Sequence, residues 1–347
     1  MKSPLKIVIA FIVLVGIVGW FLIGQPSETE SSELNVYSAR KEALIKPLLD
    51  KFSAATGVTV NLVTGSADAL ITRMQTEGQF SPADILITTD AGRLVRAKTA
   101  DLTQPIQVEN LAQLLPDYLR DEQQHWAALT MRARPVMYAP DRVDPSQITS
   151  MLDLTKPEWQ GRICIRSSSN IYNQSMIAAL TLELGEEQVE EWAKGIVANM
   201  ARPPVGGDRD QIKGVAAGEC DIAVANTYYL AGMLASDDPE QRQQAQAVDV
   251  LWTDQNSFGT HVNISGIAVA KYAPNAEAAN QLIAFMLEAE SQQWYAQENH
   301  EYPVLEGVEW SPLMQDMGQF KALSVDLDKV GAGNAAALQL MDRAGWQ

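Results

Sequence analysis

Cysteine and histidine are nearly absent from this sequence: two of the first and three of the second in 347 residues. That scarcity removes whole classes of chemistry. Neither cysteine sits in a Cys-x-x-Cys pair, and His125, His261 and His300 are scattered with no His-Glu-x-x-His spacing. Thiolate and imidazole centres of the zinc type therefore have no framework, and the histidines read as structural. Basic residues are also few, 26 Lys and Arg against 43 Asp and Glu, for a formal net charge of -17. Such a surface repels polyanions, which excludes nucleic acid as a partner. It favours cationic cargo only weakly, because solubility explains it as well. No Gly-Lys-Ser/Thr ending follows Gly206-Gly207-Asp208-Arg209-Asp210, so that stretch reads as a helix start with local ion pairs rather than a phosphate loop. No Ser-His-Asp or Cys-His set is legible, nor is any internal repeat.

What is present is enough apolar residue, 46% of the chain, for two compact cores. Lys2 and Lys6 precede an uncharged apolar run from Ile7 to Ile23, and the chain then turns polar from Gln25 to Glu33. Residues 1–33 thus read as an export signal or an uncleaved N-terminal membrane anchor, followed by a linker. A buried globular helix would show polar positions at helical spacing, and this run has none. Export into an oxidising compartment makes Cys164 and Cys220 a candidate disulfide, favoured over any metal role.

Beyond the linker, strands and helices alternate. A strand is expected at Leu34–Tyr37, a helix over 41–55 with Leu44, Ile45, Leu48, Leu49 and Phe52 on one face, and Gly57 as its stop. A strand at 58–63, a helix at 67–77, a strand at 84–88 and a helix from Asp90 continue the pattern. The same grammar recurs from Arg162 to Tyr229. Between the two systems, Leu129–Tyr138 reads as extended chain crossing from one lobe to the other, with a return over 251–270. Alternation of this kind implies an α/β protein with a mostly parallel sheet flanked by helices in each lobe.

Ligands of open α/β sheets bind beyond the carboxyl ends of strands, where helix N-termini present unpaired N–H groups. Three such junctions carry unusual residues: Ser38-Ala39-Arg40-Lys41-Glu42, Ser167-Ser168-Ser169-Asn170-Ile171-Tyr172 and Asn226-Thr227-Tyr228-Tyr229. Ser169, Asn170, Asn226 and Thr227 are good N-caps, which places the tyrosines in first helical turns, where the helix dipole stabilises a phenolate. A phenol is protonated at neutral pH, but a highly charged cation drives its ionisation. Three phenolates supply three negative charges and suit a hard trivalent ion. The same residues, taken alone, more often serve packing and hydroxyl hydrogen bonds.

Six segments decide between these readings: Asn35–Arg40, Ser81–Arg93, Met131–Pro135, Asn170–Ser175, Gly206–Gln211 and Asn226–Tyr229. With them, the chain from about Leu34 to Trp346 resembles the ferric-ion-binding periplasmic proteins of iron(III) ABC importers. The resemblance implies a two-lobe class II periplasmic-binding-protein fold with a strand hinge. Lobe 1 would comprise 34–130 and 259–347, and lobe 2 would comprise 131–258. It implies Fe(3+) held by Tyr172, Tyr228 and Tyr229, and a carbonate-like anion held by Arg40 and Arg132, whose guanidinium forks suit planar carboxylate-like anions. Several relatives carry a His-Tyr pair where this chain has Lys41-Glu42. A protonated lysine cannot ligate, so the anion-assisted arrangement is expected, with Glu42 as a possible direct oxygen ligand. The implied protein is a periplasmic monomer without enzymatic activity that delivers iron to a separate permease and ATPase. The competing expectation is a binder of a small anion in which Arg40, Arg132 and Arg134 are the primary contacts.

Overall fold

The computed structural model describes residues 33–347; the expected export segment lies outside the described residues. Among them, no helix is long and apolar enough to cross a membrane.

Two sheets organise the chain. The larger contains β1 (Glu33–Ser38), β2 (Thr59–Thr64), β3 (Ile85–Thr88), β4 (Thr103–Gln104), β5 (Ala127–Ala133), β10 (Val262–Ala270) and β11 (Tyr302–Pro303), in the order β11-β5-β10-β3-β1-β2, with β4 on β10. The smaller contains β6 (Val136–Tyr138), β7 (Ile163–Cys164), β8 (Ile222–Val224) and β9 (Asp249–Leu251), in the order β7-β8-β6-β9. Leu129–Tyr138 is extended as expected. It serves both sheets, because β5 and β6 are separated only by Arg134 and Pro135.

Both sheets are mixed rather than mostly parallel. Parallel pairing holds where helices supply the crossovers, β1 with β2 and β3, and β7 with β8. Antiparallel pairing holds wherever the strands entering or leaving a crossing take part: β10 with β3, β4 and β5, and β6 with β8 and β9. A chain that leaves a sheet and comes back runs against its outgoing strand.

Local signals set the first helices. The expected helix over 41–55 divides into a short turn, Glu42–Leu44, and an α-helix, Lys46–Thr56, with Pro47 in its first turn. Pro47 lacks an N–H and is well placed only near a helix start. Gly57 closes the helix at φ 78°, a left-handed conformation that glycine adopts without steric cost. Leu48, Leu49 and Phe52 are buried against the larger sheet. In β10 the register shifts between Ser265 and Gly266. A Cβ at Gly266 would stand 2.9 Å from the Ala127 carbonyl oxygen, so only glycine lets the two strands approach there.

The last long helix, Leu327–Arg343, follows the return crossing in the chain. It packs against both Ala91–Thr99 and Ile171–Leu184. Its end is tied to the smaller-sheet side, where Arg343 pairs with Glu186 at 2.7 Å and Glu190 at 2.8 Å. The Trp346 indole donates to the Arg166 carbonyl at 2.8 Å. The Cys164–Cys220 disulfide is formed, joining β7 to the residue two before β8.

Candidate metal centre

Tyr172 is the second residue of helix Ile171–Leu184, whose cap Asn170 accepts the Tyr172 N–H at 3.2 Å. Tyr228 and Tyr229 open helix Thr227–Leu234, capped by Asn226. The cap there works differently, because the Asn226 side chain does not bond its own helix. Its Oδ1 accepts from Arg134 Nη1 at 3.3 Å and its backbone N–H donates to Asp208 Oδ2 at 2.9 Å. Of the four expected N-cap residues, Asn170 and Asn226 take that position.

A buried ion pair ties these two helix starts together. Arg134 and Asp208 meet at 2.9 Å with side-chain exposures of 1% and 0%. Arg134 Nη2 donates to Asn173 Oδ1 at 2.8 Å, one residue beyond Tyr172. Asp208 Oδ1 also accepts from Arg166 at 3.3 Å. One guanidinium fork therefore grips both tyrosine-bearing turns. Arg134, an anion contact in the competing expectation, is committed to this network and is absent from the cavity wall. The ion pairs of Asp208 are long-range rather than local, while Asp210 performs the expected capping by accepting the Gly207 N–H at 2.6 Å.

Above the network lies a cavity of about 350 Å³. Tyr172, Tyr228, Tyr229 and Arg209 form one wall, and Arg40, Lys41, His300 and Glu301 line the other. The structure brings the three tyrosines together. The Tyr228 hydroxyl donates to the Tyr172 hydroxyl at 3.4 Å, and the Tyr228 and Tyr229 rings lie 4.2 Å apart. Arg132 also lines the cavity, its guanidinium carbon 5.4 Å and 5.8 Å from the Tyr172 and Tyr228 ring centres. Its Nη2 donates to the Ile264 carbonyl at 2.5 Å and to the Thr89 carbonyl, while its buried Nε has no partner among the described residues. Glu42 is exposed and is not a lining residue.

Arg40 is already engaged. Its Nη1 and Nη2 meet the two oxygens of Glu301 at 3.0 Å and 2.9 Å, and Nη1 also donates to Ser265 at 2.5 Å. Of its five N–H groups, that leaves Nε–H and one on Nη2; Nε is buried without a partner. Glu301 also accepts from Thr130. Burial alone would raise the Glu301 carboxyl, but Arg40 and Arg132 hold it below its ordinary range. It is an internal anion built into the site.

The phenols are electrostatically distinct. Burial pushes Tyr172 up, but the Arg132 charge together with hydrogen bonds from Tyr228 and Thr89 outweighs it, and the net shift is downward. Burial raises Tyr228 well above the ordinary phenol, reinforced by Tyr172, and lifts Tyr229 to about 12. Tyr172 is thus the first of the three to ionise. Among the described residues no group of three His, Cys, Asp or Glu is arranged to hold a metal. The oxygen donors concentrated here are phenols, whose charged form suits a hard, highly charged cation.

Sequence reasoning missed Glu301, Arg166 and Arg209. Glu301 lies 261 residues from its partner Arg40, so no local spacing signals the pair. It named Arg134 as an anion contact in the competing expectation and Asp208 in a helix start with local ion pairs, without their mutual contact.

Comparison with known proteins decides the family: bacterial extracellular solute-binding protein matches over residues 80–326. The chain belongs to that family. Iron uptake protein A1 of Synechocystis is 45% identical over 92% of this chain and 88% of its own. A Trichodesmium member solved in complex with iron and citrate ligands superposes with a TM-score of 0.88 at 45% identity, over 91% of this chain and all of its own. The apo ferric ion-binding protein A of Pasteurella haemolytica does so at 0.83 and 39%, over 91% and 98%. These structures share the two-lobe class II periplasmic-binding architecture.

Proposed function

We propose that this solute-binding protein captures ferric iron through Tyr172, Tyr228 and Tyr229 and hands it to the permease of an ABC importer, powered by a separate ATPase. The observation that carries the reading is the 3.4 Å approach of the Tyr172 and Tyr228 hydroxyls in a cavity they share with Tyr229. Two oxygens each about 2 Å from one ion and at right angles stand about 3 Å apart, so small adjustments suffice for both to touch one cation. The names of the relatives, which include iron uptake and ferric-binding proteins, point the same way.

A carbonate-like anion completes the coordination in this reading. Arg132 offers its unpartnered Nε, and Arg40 offers the donors that Glu301 leaves unused. Lobe 1 takes residues 34–130 and 259–347, and lobe 2 takes residues 131–258. Iron docks on the tyrosines of lobe 2, hinge bending brings lobe 1 over it, and the closed form is what the importer recognises. The protein works as a periplasmic monomer that catalyses no reaction, and an uncleaved leader would hold it at the inner membrane.

Replacing Tyr228 by Phe tests the assignment. The ferric protein should show a visible phenolate-to-iron absorption band that weakens sharply in Y228F, with loss of iron in competition against citrate. A second reading, a binder of a small anion, draws on Arg40, Lys41, Arg132 and Arg209 all lining the cavity. It requires that Y228F bind as well as the parent protein and that no visible band form.

A further inference from the structure

The wall facing the tyrosines lacks an obvious donor to iron. Lys41 is cationic, Glu42 is absent from the cavity, and Glu301 is held by Arg40. Asn299 also lines that side but is tied to the Leu44 carbonyl, and Glu298 and His300 each keep a ligand atom without a hydrogen bond among the described residues. Of the three histidines, only His300 lines the cavity.

We infer that His300 is the protein ligand contributed by the first lobe, closing over the iron through Nε2. The inference rests on the ferric reading above and adds a residue to it. His300 Nδ1 is 3.2 Å from the Ser311 hydroxyl, which is 2% exposed and does not line the cavity. That contact turns the Nδ1 edge of the ring into the protein. The opposite edge, carrying Nε2, makes no hydrogen bond among the described residues and is left for the cavity. When Nδ1–H donates to Ser311, Nε2 carries the free lone pair, the usual way an outer partner orients a histidine towards a metal.

The backbone is fixed to match. His300 sits at φ 53°, a left-handed conformation that residues other than glycine take infrequently. Its neighbours pin it there: Asn299 Nδ2 donates to the Leu44 carbonyl at 3.0 Å, and Glu301 is clamped by Arg40. Glu298, by contrast, ends helix Ala289–Glu298 on an exposed side chain with no hydrogen bond or ion pair among the described residues, so binding through it would cost more side-chain order. The segment also lies beside β11 of the larger sheet, whereas the tyrosines stand on helices of the smaller one. A His300 bond would therefore span the cleft and couple loading to closure.

The test uses the full ferric protein with histidine selectively labelled with nitrogen-15, and pulsed EPR to detect nitrogen bound to iron. An imidazole coupling that changes isotope with the label, and vanishes in His300→Gln while the phenolate band persists, is the expected result. Citrate competition should then show at least a tenfold loss of affinity in H300Q, with Glu298→Gln near the parent value. Absence of the imidazole coupling in the parent, or a loss confined to E298Q, overturns the inference and leaves the tyrosine reading standing. Absence of the phenolate band in the parent removes both. The labelled parent protein answers the question even should H300Q fail to fold.

Discussion

Asp208→Asn is the most informative single perturbation, because it removes one charge and almost no volume from the pair beneath the tyrosines. The parent carboxylate takes Arg134 Nη1 at 2.9 Å, the Asn226 N–H at 2.9 Å and Arg166 at 3.3 Å, with side-chain exposures of 0% for Asp208 and 1% for Arg134. Screening by water is minimal at such burial, so surface ion-pair values do not apply. Leaving Arg134 charged and unpaired should cost about 3–5 kcal/mol, which lowers the melting temperature of the iron-free protein by roughly 5–8 °C. Chemical unfolding of parent, D208N, Arg134→Met and the double variant gives the coupling energy directly. The double variant should be less destabilised than the sum of the singles, since it leaves no orphaned charge. The same pair fixes Asn173 and Asn226, so D208N should also weaken iron binding more than its unfolding energy at working temperature explains. A cost below about 1 kcal/mol for D208N would refute the idea that this clamp holds the two tyrosine turns in register.

Iron loading should release protons. Tyr228 and Tyr229 are raised above the ordinary phenol and so carry protons at neutral pH, and both must lose them on binding. At least two protons per ion are expected in weakly buffered solution, and affinity should fall about a hundredfold or more for each unit that pH drops; a pH-independent affinity would contradict phenolate ligation. Replacing Cys164 and Cys220 by alanine opens a link spanning 56 residues, worth about 4 kcal/mol by loop entropy. Denaturant midpoints should fall accordingly while the visible band is kept, because the bridge lies beneath the site and supplies no donor.

Much of the architecture is legible in one dimension because it depends on near neighbours. The helix expected over 67–77 forms at Ala67–Glu77, where the structure adds Ser66 as its cap. Gly57 stops the preceding helix for a reason contained in one residue. The two crossings were visible as extended apolar runs, and the tyrosines as residues following cap-type asparagines. The mixed pairing of the sheets was not visible, since strand direction is set by which strand arrives beside which.

Residue order by itself determined the acidic charge balance, the lack of zinc-type spacing, the alternating elements and the placing of three phenols at helix starts. Those properties follow from composition and from contacts within a few residues. Tertiary structure alone decided that Tyr172 and Tyr228, 56 residues apart, meet at 3.4 Å. It likewise decided that Arg40 faces Glu301 across 261 residues, and that one buried fork grips both tyrosine turns. Such contacts depend on how two sheets stack helices at their edges, and the charge of Arg132 acting against burial then sets which phenol ionises first. Neither distance nor desolvation is encoded at any single position of the chain.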